Sequence, residues 1–181
     1  MLVLRSIQWD NLIDIGTGAG FPGIPLKIYL PQTNLTLLDS SYKKTRFLNW
    51  VKNKLQLSSV EVVWGRAENY GRNERYRERY SLAIARAVAP LNVLVELALP
   101  FVKIGGFFLA QKGRVEQELK EAKGPVELLG GQLERIEEYS LPGVNVQRSL
   151  ILIRKVLSTP PEFPRRPGLP RRKPIMAPAR L

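Results

Sequence analysis

The sequence predicts an α/β fold in which a mostly parallel sheet is closed by one antiparallel hairpin. Short apolar runs alternate with helix-like segments five times up to residue 129, as expected for a parallel sheet with helices on both faces. A glycine-rich loop joins the first run to the first helix. The last two runs are joined by a turn that begins Pro142-Gly143, and so short a connection joins antiparallel neighbours.

Strand and helix bounds follow from the apolar periodicity and from the proline and glycine breaks. We predict a loop or an exposed helix over Asn69–Tyr80, which is polar and rich in arginine. The predicted strands are Leu12–Ile15, Leu35–Leu38, Val60–Trp64, Ser81–Ala85, Phe107–Gln111, Leu133–Leu141 and Ser149–Val156. The predicted helices are Ile24–Leu30, Tyr42–Leu55, Pro90–Val102 and Glu116–Leu129.

Composition limits the chemistry available to the chain. Its 181 residues suit one domain, which we place at residues 1–156. The absence of cysteine and histidine excludes a thiolate nucleophile, a cysteine–zinc site and the commonest general base. A net charge of +12 favours a polyanionic partner, although a merely solubilising surface is the alternative. No apolar stretch is long enough to span a membrane or form a signal peptide, so we expect a cytoplasmic location and no membrane partner.

The C-terminal segment, residues 157–181, differs from the rest in composition. Seven of the fourteen prolines lie in Pro160–Pro178, among several arginines. Such a segment is expected to be extended and to form no packed core. Two interpretations stay open, a basic arm that binds phosphates and a solvated, disordered tail.

The glycine loop follows the first strand and reads D-I-G-T-G-A-G-F-P-G-I-P-L from Asp14 to Leu26. Glycines there let a ligand approach the backbone N–H groups at a helix start. Asp14, two residues before the first glycine, would face a positive group, which S-adenosylmethionine offers and a dinucleotide pyrophosphate does not. Together with the terminal hairpin, this indicates a class I S-adenosylmethionine-dependent methyltransferase with a Rossmann-like fold.

Ligands of open parallel sheets bind beyond the carboxyl ends of the strands. The second strand ends at Asp39, which is placed to accept hydrogen bonds from ribose hydroxyls. The alternatives are that Asp39 only interacts with the following helix dipole and that Glu68 and Arg86 form a structural ion pair. The third strand is followed by Arg66, Ala67 and Glu68, which could read an adenine edge. The fourth strand supplies Arg86, and the fifth supplies Gln111 with Lys112.

The missing residue types narrow the reaction. Methylation of a pyrimidine ring carbon generally needs a cysteine, and the motif common for exocyclic amines is replaced by Ala85-Arg86-Ala87-Val88. Guanine N7 has a free lone pair, so catalysis of its methylation consists mostly of alignment with the methyl donor. We therefore expect no general base, with Phe21 and Arg86 acting by position and Lys112 as a weaker candidate for steadying the RNA.

Several motifs resemble those of the bacterial small-subunit (16S) ribosomal RNA guanine-N7 methyltransferases, the glucose-inhibited division protein B family. The motifs are Asp14–Leu26, Leu37–Ser40, Lys44–Leu48, Arg66–Glu68, Ala85–Ala87 and the Pro-Arg-Arg-Pro-Gly segment at Pro164–Gly168. The resemblance implies an S-adenosylmethionine cofactor and a 16S ribosomal RNA or small-subunit particle as partner. We also expect a monomer. It implies cofactor contacts from Gly16, Phe21, Asp39, Ser40, Ser41, Ala67, Glu68 and Arg86, with Asp14 and Gly18 matching the same motif.

The chain departs from this family at its start. Family members carry a helical region ahead of the first strand, and only Met1–Asp10 precede it here. The resemblance therefore predicts either a shortened form or a protein without activity. Two rivals to the methyltransferase stay open: a catalytically silent RNA-binding remnant and a nucleotide-binding oxidoreductase.

Overall fold

The computed structural model describes residues 4, 6–86, 88–113, 115–141 and 143–176, without the side chains of 141 and 144–146. Strands and helices alternate up to residue 128, and two strands and a short helix follow. The strands are β1 Asn11–Ile15, β2 Asn34–Asp39, β3 Val60–Trp64, β4 Tyr80–Arg86, β5 Val102–Lys112, β6 Gly131–Leu141 and β7 Val144–Lys155. The helices are α1 Gly23–Tyr29, α2 Tyr42–Lys54, α3 Ala67–Tyr70, α4 Leu91–Ala98, α5 Glu116–Leu128 and α6 Leu169–Arg172.

The seven strands form one sheet in the order β3-β2-β1-β4-β5-β7-β6. Strands β1 to β5 are parallel, and β7 pairs antiparallel with both β5 and β6. The predicted α/β fold with a closing antiparallel hairpin is thus confirmed. This topology brings the carboxyl ends of β1 to β4 to one edge of the sheet, where the candidate residues lie.

Two apolar clusters hold the layers together, one on each face of the sheet. On one face, Leu48 of α2 packs with Ile24 of α1 against strand residues such as Leu37. On the other, α4 and α5 pack against Ile13, Phe108 and Ile153. Because successive strand side chains point to opposite faces, the continuous apolar runs of β1 and β4 fill both clusters.

The element bounds differ from the prediction mainly around the fourth helix. That helix ends at Ala98 and is followed by a short 3₁₀ turn over Leu99–Phe101. Pro100 has no N–H group to donate to the Glu96 carbonyl, so the regular α-helical hydrogen bonding ends ahead of it. The arginine-rich segment after β3 forms the four-residue α3 and then turns in which Tyr76 is buried.

The described part of the C-terminal segment, residues 157–176, is folded against the domain, so the prediction of an extended tail or of solvated disorder is wrong. Phe163 is buried in the same cluster as α4 and α5. Three carboxylates hold the segment through its main-chain N–H groups. Glu78 accepts from Thr159 N at 2.7 Å, Glu96 from Arg165 N at 2.8 Å and Glu68 from Gly168 N at 2.8 Å.

Side chains reinforce this attachment in both directions. The Arg77 guanidinium donates to the carbonyls of Thr159 and Phe163, both at 2.7 Å. The Arg165 guanidinium forms an ion pair with Glu96, whose side chain is fully buried, with an Nη2–Oε2 distance of 2.6 Å. Tail and domain are therefore one packed unit in the described residues, and a boundary at residue 157 stays a prediction about composition.

A buried lysine anchors the start of the segment. The Lys155 ammonium donates to the Leu99 carbonyl at 2.8 Å and to the Thr159 hydroxyl, and it lies 3.3 Å from Glu78 Oε1. Burial lowers the pKa of Lys155 to about 8, although the charge of Glu78 and a hydrogen bond with it raise the value. A charged group so buried needs these partners, and they fix where the chain turns away from β7.

In the described part of the chain, no helix is long and apolar enough to cross a membrane.

Candidate active site

The glycine loop lies at the carboxyl ends of β1 and β2. Gly16 N and Thr17 N both donate to the Leu38 carbonyl at 2.8 and 3.2 Å, which ties the loop to β2. Gly16 and Gly18 adopt φ = +64°, a left-handed conformation that favours glycine. A Cβ atom on Gly18 would have only the Gly16 carbonyl oxygen nearby, at 4.0 Å, so the space above the loop is open to a ligand.

Asp39, the last residue of β2, holds the loop from the other side. Its Oδ2 accepts from Gly18 N and its Oδ1 from Ser41 N, both at 2.9 Å. Lys44 Nζ lies 3.9 Å from Oδ2. Because each carboxylate oxygen has two lone pairs, Asp39 keeps acceptor capacity for a ligand. Asp39 thus forms specific hydrogen bonds to the loop and to the start of α2. It does more than interact with the dipole of the following helix, which was the alternative.

Asp14 lies beneath the loop and is fully buried. Its Oδ2 accepts from the Thr17 hydroxyl at 2.7 Å and from Gly23 N, at the start of α1, at 2.9 Å. Its Oδ1 has no hydrogen-bond partner among the described residues. Burial raises the pKa of Asp14 to about 6, although hydrogen bonds from Thr17 and Gly23 and the charge of Arg86 oppose that shift. The structure thus gives Asp14 a bracing position, with one oxygen left unsatisfied.

The raised pKa of Asp14 has a measurable consequence for stability. The folded carboxyl group binds its proton more tightly than the unfolded one, so the free energy of unfolding should fall as the pH rises from about 4 to about 6. We expect Asp14→Asn to remove roughly 2 to 3 kcal/mol of this decline, measured by urea denaturation from pH 4 to 7. The control Asp10→Asn should act in the opposite sense, because a hydrogen bond with Ser81 lowers the pKa of Asp10. If the unfolding free energies of wild type and Asp14→Asn depended on pH in the same way, a buried Asp14 carboxyl with a raised pKa would be contradicted.

Ala67 and Glu68 follow β3 and begin the short α3. The Glu68 carboxylate is buried, its Oε1 accepts from Gly168 N, and its Oε2 lies 3.7 Å from Arg66 Nε. The alternative of an ion pair between Glu68 and Arg86 is therefore wrong, because the arginine partner of Glu68 is Arg66. Ala67 is half-buried, with its backbone at the same edge as Asp39.

Arg86 and Phe21 meet across the loop. The Arg86 guanidinium carbon lies 5.6 Å from the centre of the Phe21 ring, and both side chains are exposed. This cation–π contact joins the glycine loop that follows β1 to the carboxyl end of β4. Ala87, the next residue of the predicted motif, lies outside the described residues.

The remaining predicted residues fall into two groups. Ser40 is exposed and its carbonyl accepts from Trp64 Nε1 at 3.1 Å, while Ser41 precedes α2. Lys112 Nζ donates to the Ala89 carbonyl at 2.8 Å and contacts Glu118 Oε2 at 2.7 Å. Its ammonium braces the loop before α4, which argues against Lys112 as a candidate for steadying the RNA or the base.

Sequence reasoning missed the contribution of the C-terminal segment to this edge. Besides Gly168 at Glu68, Arg171 Nη2 donates to the Val88 carbonyl at 2.8 Å. Val88 in turn lies against Gly16, since a Cβ atom on that glycine would approach Val88 Cγ2 to 2.8 Å. One sequence signal existed: Glu96 interrupts an apolar helix, and a buried carboxylate needs a cationic partner.

Two large cavities lie at the opposite edge of the sheet, near the amino ends of the strands. They measure about 1060 and 660 Å³, and both are lined in part by Trp9 and Asp10. Neither is lined by a candidate residue. The candidate active site is defined by its glycine loop and its buried carboxylates.

Comparison with known proteins identifies the family. Residues 1–151 match the family described as rRNA small subunit methyltransferase G. The chain belongs to this family. Curated members include "Ribosomal RNA small subunit methyltransferase G" of Alkaliphilus metalliredigens, 50% identical over 91% of this chain and 70% of that protein. The protein of the same name from Desulforamulus reducens is 48% identical over 91% of this chain and 69% of its own length.

Solved structures that resemble the chain support the fold of the family. TrmN from Thermus thermophilus superposes with a TM-score of 0.61 at 17% identity, covering 81% of this chain and 44% of its own. TYW2 from M. jannaschii in complex with AdoMet gives a TM-score of 0.62 at 15% identity, covering 81% and 69%. At these identities the likeness concerns the fold, which is the class I methyltransferase fold that the sequence predicts.

Proposed function

We propose that this chain transfers a methyl group from S-adenosylmethionine to N7 of a guanine in 16S ribosomal RNA. Membership of the rRNA small subunit methyltransferase G family supports the substrate and the reaction. The single observation that carries the proposal is the brace formed by Asp14 and Asp39, which hold one glycine loop from below and from the side.

The residues at this edge fit the methyl donor. The space over Gly18 is open, Asp39 keeps unused lone pairs, and the buried Asp14 Oδ1 has no partner among the described residues. S-adenosylmethionine carries an ammonium and a sulfonium, and the negative charge of the Asp39 carboxylate at the loop favours such a ligand. A dinucleotide pyrophosphate would instead place negative charge here, which disfavours the oxidoreductase alternative.

We assign each candidate residue a role on this basis. Asp39 would accept hydrogen bonds from the ribose hydroxyls, and Gly16 and Gly18 would let the methionine part approach the backbone. Ser40, Ser41, Ala67 and Glu68 would surround the adenine, with Glu68 fixed in place by Gly168. Asp14 would act through the loop that it braces. Phe21 and Arg86 would form the wall beside the methyl group.

The chemistry asks little of the protein beyond alignment. When bound, S-adenosylmethionine supplies an electrophilic methyl group on its sulfonium. Guanine N7 has a free lone pair and no proton to lose, so the chain needs no general base, which suits a sequence without histidine. Since N7 cannot be reached within an A-form helix, the target guanine must lie in a loop or be flipped out.

A methylation assay over a range of pH tests the proposal. We expect transfer of labelled methyl to N7 of a guanine in small-subunit particles or 16S ribosomal RNA, at a rate that changes little from about pH 6.5 to 8.5 at saturating substrates. A steep bell-shaped profile traced to one carboxylate or lysine would contradict N7 as the target. Binding of S-adenosylmethionine without transfer would leave the silent RNA-binding remnant as the better interpretation.

We further propose that the chain acts as a monomer in the cytoplasm, where ribosomal RNA is found. The net charge of +12 suits a polyanionic substrate of this kind.

A further inference from the structure

Helix α2 and the end of β3 carry an unusual surface beside the candidate active site. Four aromatic side chains there are exposed to solvent: Tyr42 at 57%, Phe47 at 47%, Trp50 at 60% and Trp64 at 58%. They form two pairs, with ring centres 5.1 Å apart for Tyr42 and Trp64 and 6.0 Å apart for Phe47 and Trp50. Large exposed rings grouped in this way mark an interaction surface.

The same helix is strongly basic. Its thirteen residues include Lys43, Lys44, Arg46, Lys52 and Lys54 and no carboxylate. Within the described part of the chain, only Lys44 of these five forms an ion pair, the long contact with Asp39 at 3.9 Å. Cations in the first turn oppose the helix dipole, so Lys43 and Lys44 do not stabilise the helix by that interaction. The charge instead suits an anionic partner.

Rings and cations share one side of the helix. Lys43, Phe47, Trp50 and Lys54 recur at intervals of three and four residues, so they form one stripe, while Thr45 and Leu48 face the core. Tyr42 lies beside Trp64, whose Nε1 donates to the Ser40 carbonyl, and this connects the stripe to the residues around Asp39. Alternating stacking faces and cations are the features by which proteins bind single-stranded nucleic acid.

From this geometry we infer that the aromatic face of α2 and β3, namely Tyr42, Phe47, Trp50 and Trp64, binds an unpaired segment of the RNA substrate by base stacking. This inference rests on the proposed function. Strands β3 and β4 are three strand spacings apart in the sheet, so Trp64 lies about 14 Å from the Arg86 end of β4. Bases that lose their stacking when the target guanine is exposed find new stacking partners at that distance.

A protein partner fits this surface less well. Lysine is depleted in protein–protein interfaces, whereas α2 presents four lysines and one arginine. The cations of α2 lie along the same stretch of helix as its rings, since Tyr42 and Trp50 are about 12 Å apart along the helix axis. The charge and the rings therefore favour one occupant, single-stranded RNA.

The inference is tested by RNA binding of the full chain, measured by fluorescence anisotropy with a labelled, unstructured RNA of about ten nucleotides. We expect Trp50→Ala and Phe47→Ala each to weaken binding roughly tenfold, and Trp50→Leu, which keeps an apolar side chain but no stacking face, to be as weak as Trp50→Ala. The matched control is Tyr139→Ala, which removes an exposed ring on β6 and should bind as wild type does. Wild-type affinity in Trp50→Leu would overturn stacking and indicate an apolar docking surface for protein.

The cations give an independent measurement. Lys43→Ala and Arg46→Ala should each reduce the log–log salt slope of RNA binding by about 0.7. The controls are Lys120→Ala and Lys123→Ala, which change exposed lysines of α5 on the other face of the sheet. These two variants should leave the salt slope unchanged. Equal slopes for both pairs of variants would overturn the phosphate contacts.

The outcome separates this inference from the proposed function. Calorimetry with S-adenosylmethionine should give wild-type affinity for Trp50→Ala and Phe47→Ala, because these side chains lie outside the candidate cofactor residues. If wild type methylates RNA while all the aromatic variants bind RNA normally, the inferred RNA-binding surface is refuted and the proposed function is supported. If wild type neither binds S-adenosylmethionine nor methylates RNA, yet the aromatic variants still weaken RNA binding, the function is wrong and the surface stands.

Discussion

Replacement of Arg165 by alanine is expected to lower the free energy of unfolding by about 3 to 5 kcal/mol. The reason is that Glu96, which is fully buried within α4, would lose three of its four hydrogen bonds and its ion-pair partner. Only the bond from Arg165 N would remain, and an uncompensated buried carboxylate is costly. Urea denaturation at neutral pH measures the change.

The neighbouring Arg166 supplies a matched control, because its side chain is exposed and forms no ion pair among the described residues. Arg166→Ala removes the same charge from the same segment and should change the unfolding free energy by less than about 1 kcal/mol. The double variant Arg165→Met, Glu96→Leu should recover part of the loss, since it removes both charges. Equal effects of Arg165→Ala and Arg166→Ala would mean that the ion pair does not hold the segment.

Replacement of Gly16 by valine is expected to abolish binding of S-adenosylmethionine. Gly16 has φ = +64°, which a β-branched residue rarely adopts, and its new Cβ atom would approach Val88 Cγ2 to 2.8 Å. The loop or the chain after β4 must then shift, which displaces the backbone proposed to contact the methyl donor. Isothermal titration calorimetry should detect no binding.

Two further variants define what this loss means. Gly105→Val introduces a similar backbone strain at φ = +83° but has open space around its Cβ position, so it should lose stability and keep the cofactor. Asp39→Ala removes the hydrogen bonds to Gly18 N and Ser41 N and the acceptor proposed for the ribose hydroxyls, and we expect binding to weaken by roughly 1.5 to 3 kcal/mol. Tight binding by Gly16→Val would refute the assignment of the glycine loop as the cofactor site.

The parts of this structure that sequence predicted are those with a local signal. Apolar periodicity located the strands, and the glycines after Ile15 located the loop, because both patterns arise within a few residues. The folded C-terminal segment has no such pattern. Glu68, Glu78 and Glu96 bind its main-chain N–H groups, which every residue except proline carries, so composition alone suggested disorder.

The contacts of the Lys112 ammonium could not be predicted from the sequence for a related reason. Its position at the end of β5 was predicted, but its partner Glu118 comes from α5 and the accepting carbonyl from Ala89. Which of several nearby groups a long side chain contacts depends on how the helices pack. Buried carboxylates such as Asp14 and Glu96 were visible as interruptions of apolar runs, and they are the more dependable signal.

The attachment of the C-terminal segment also determines the order in which the domain can be completed. Its three carboxylate contacts join residues 81, 69 and 100 positions apart along the chain. Loop closure over such lengths has a large entropic cost, so these contacts are expected to form after the local strand–helix units. During synthesis, the sheet edge that carries Asp39 can assemble early, whereas Glu68 receives its Gly168 contact only after a hundred further residues have emerged from the ribosome.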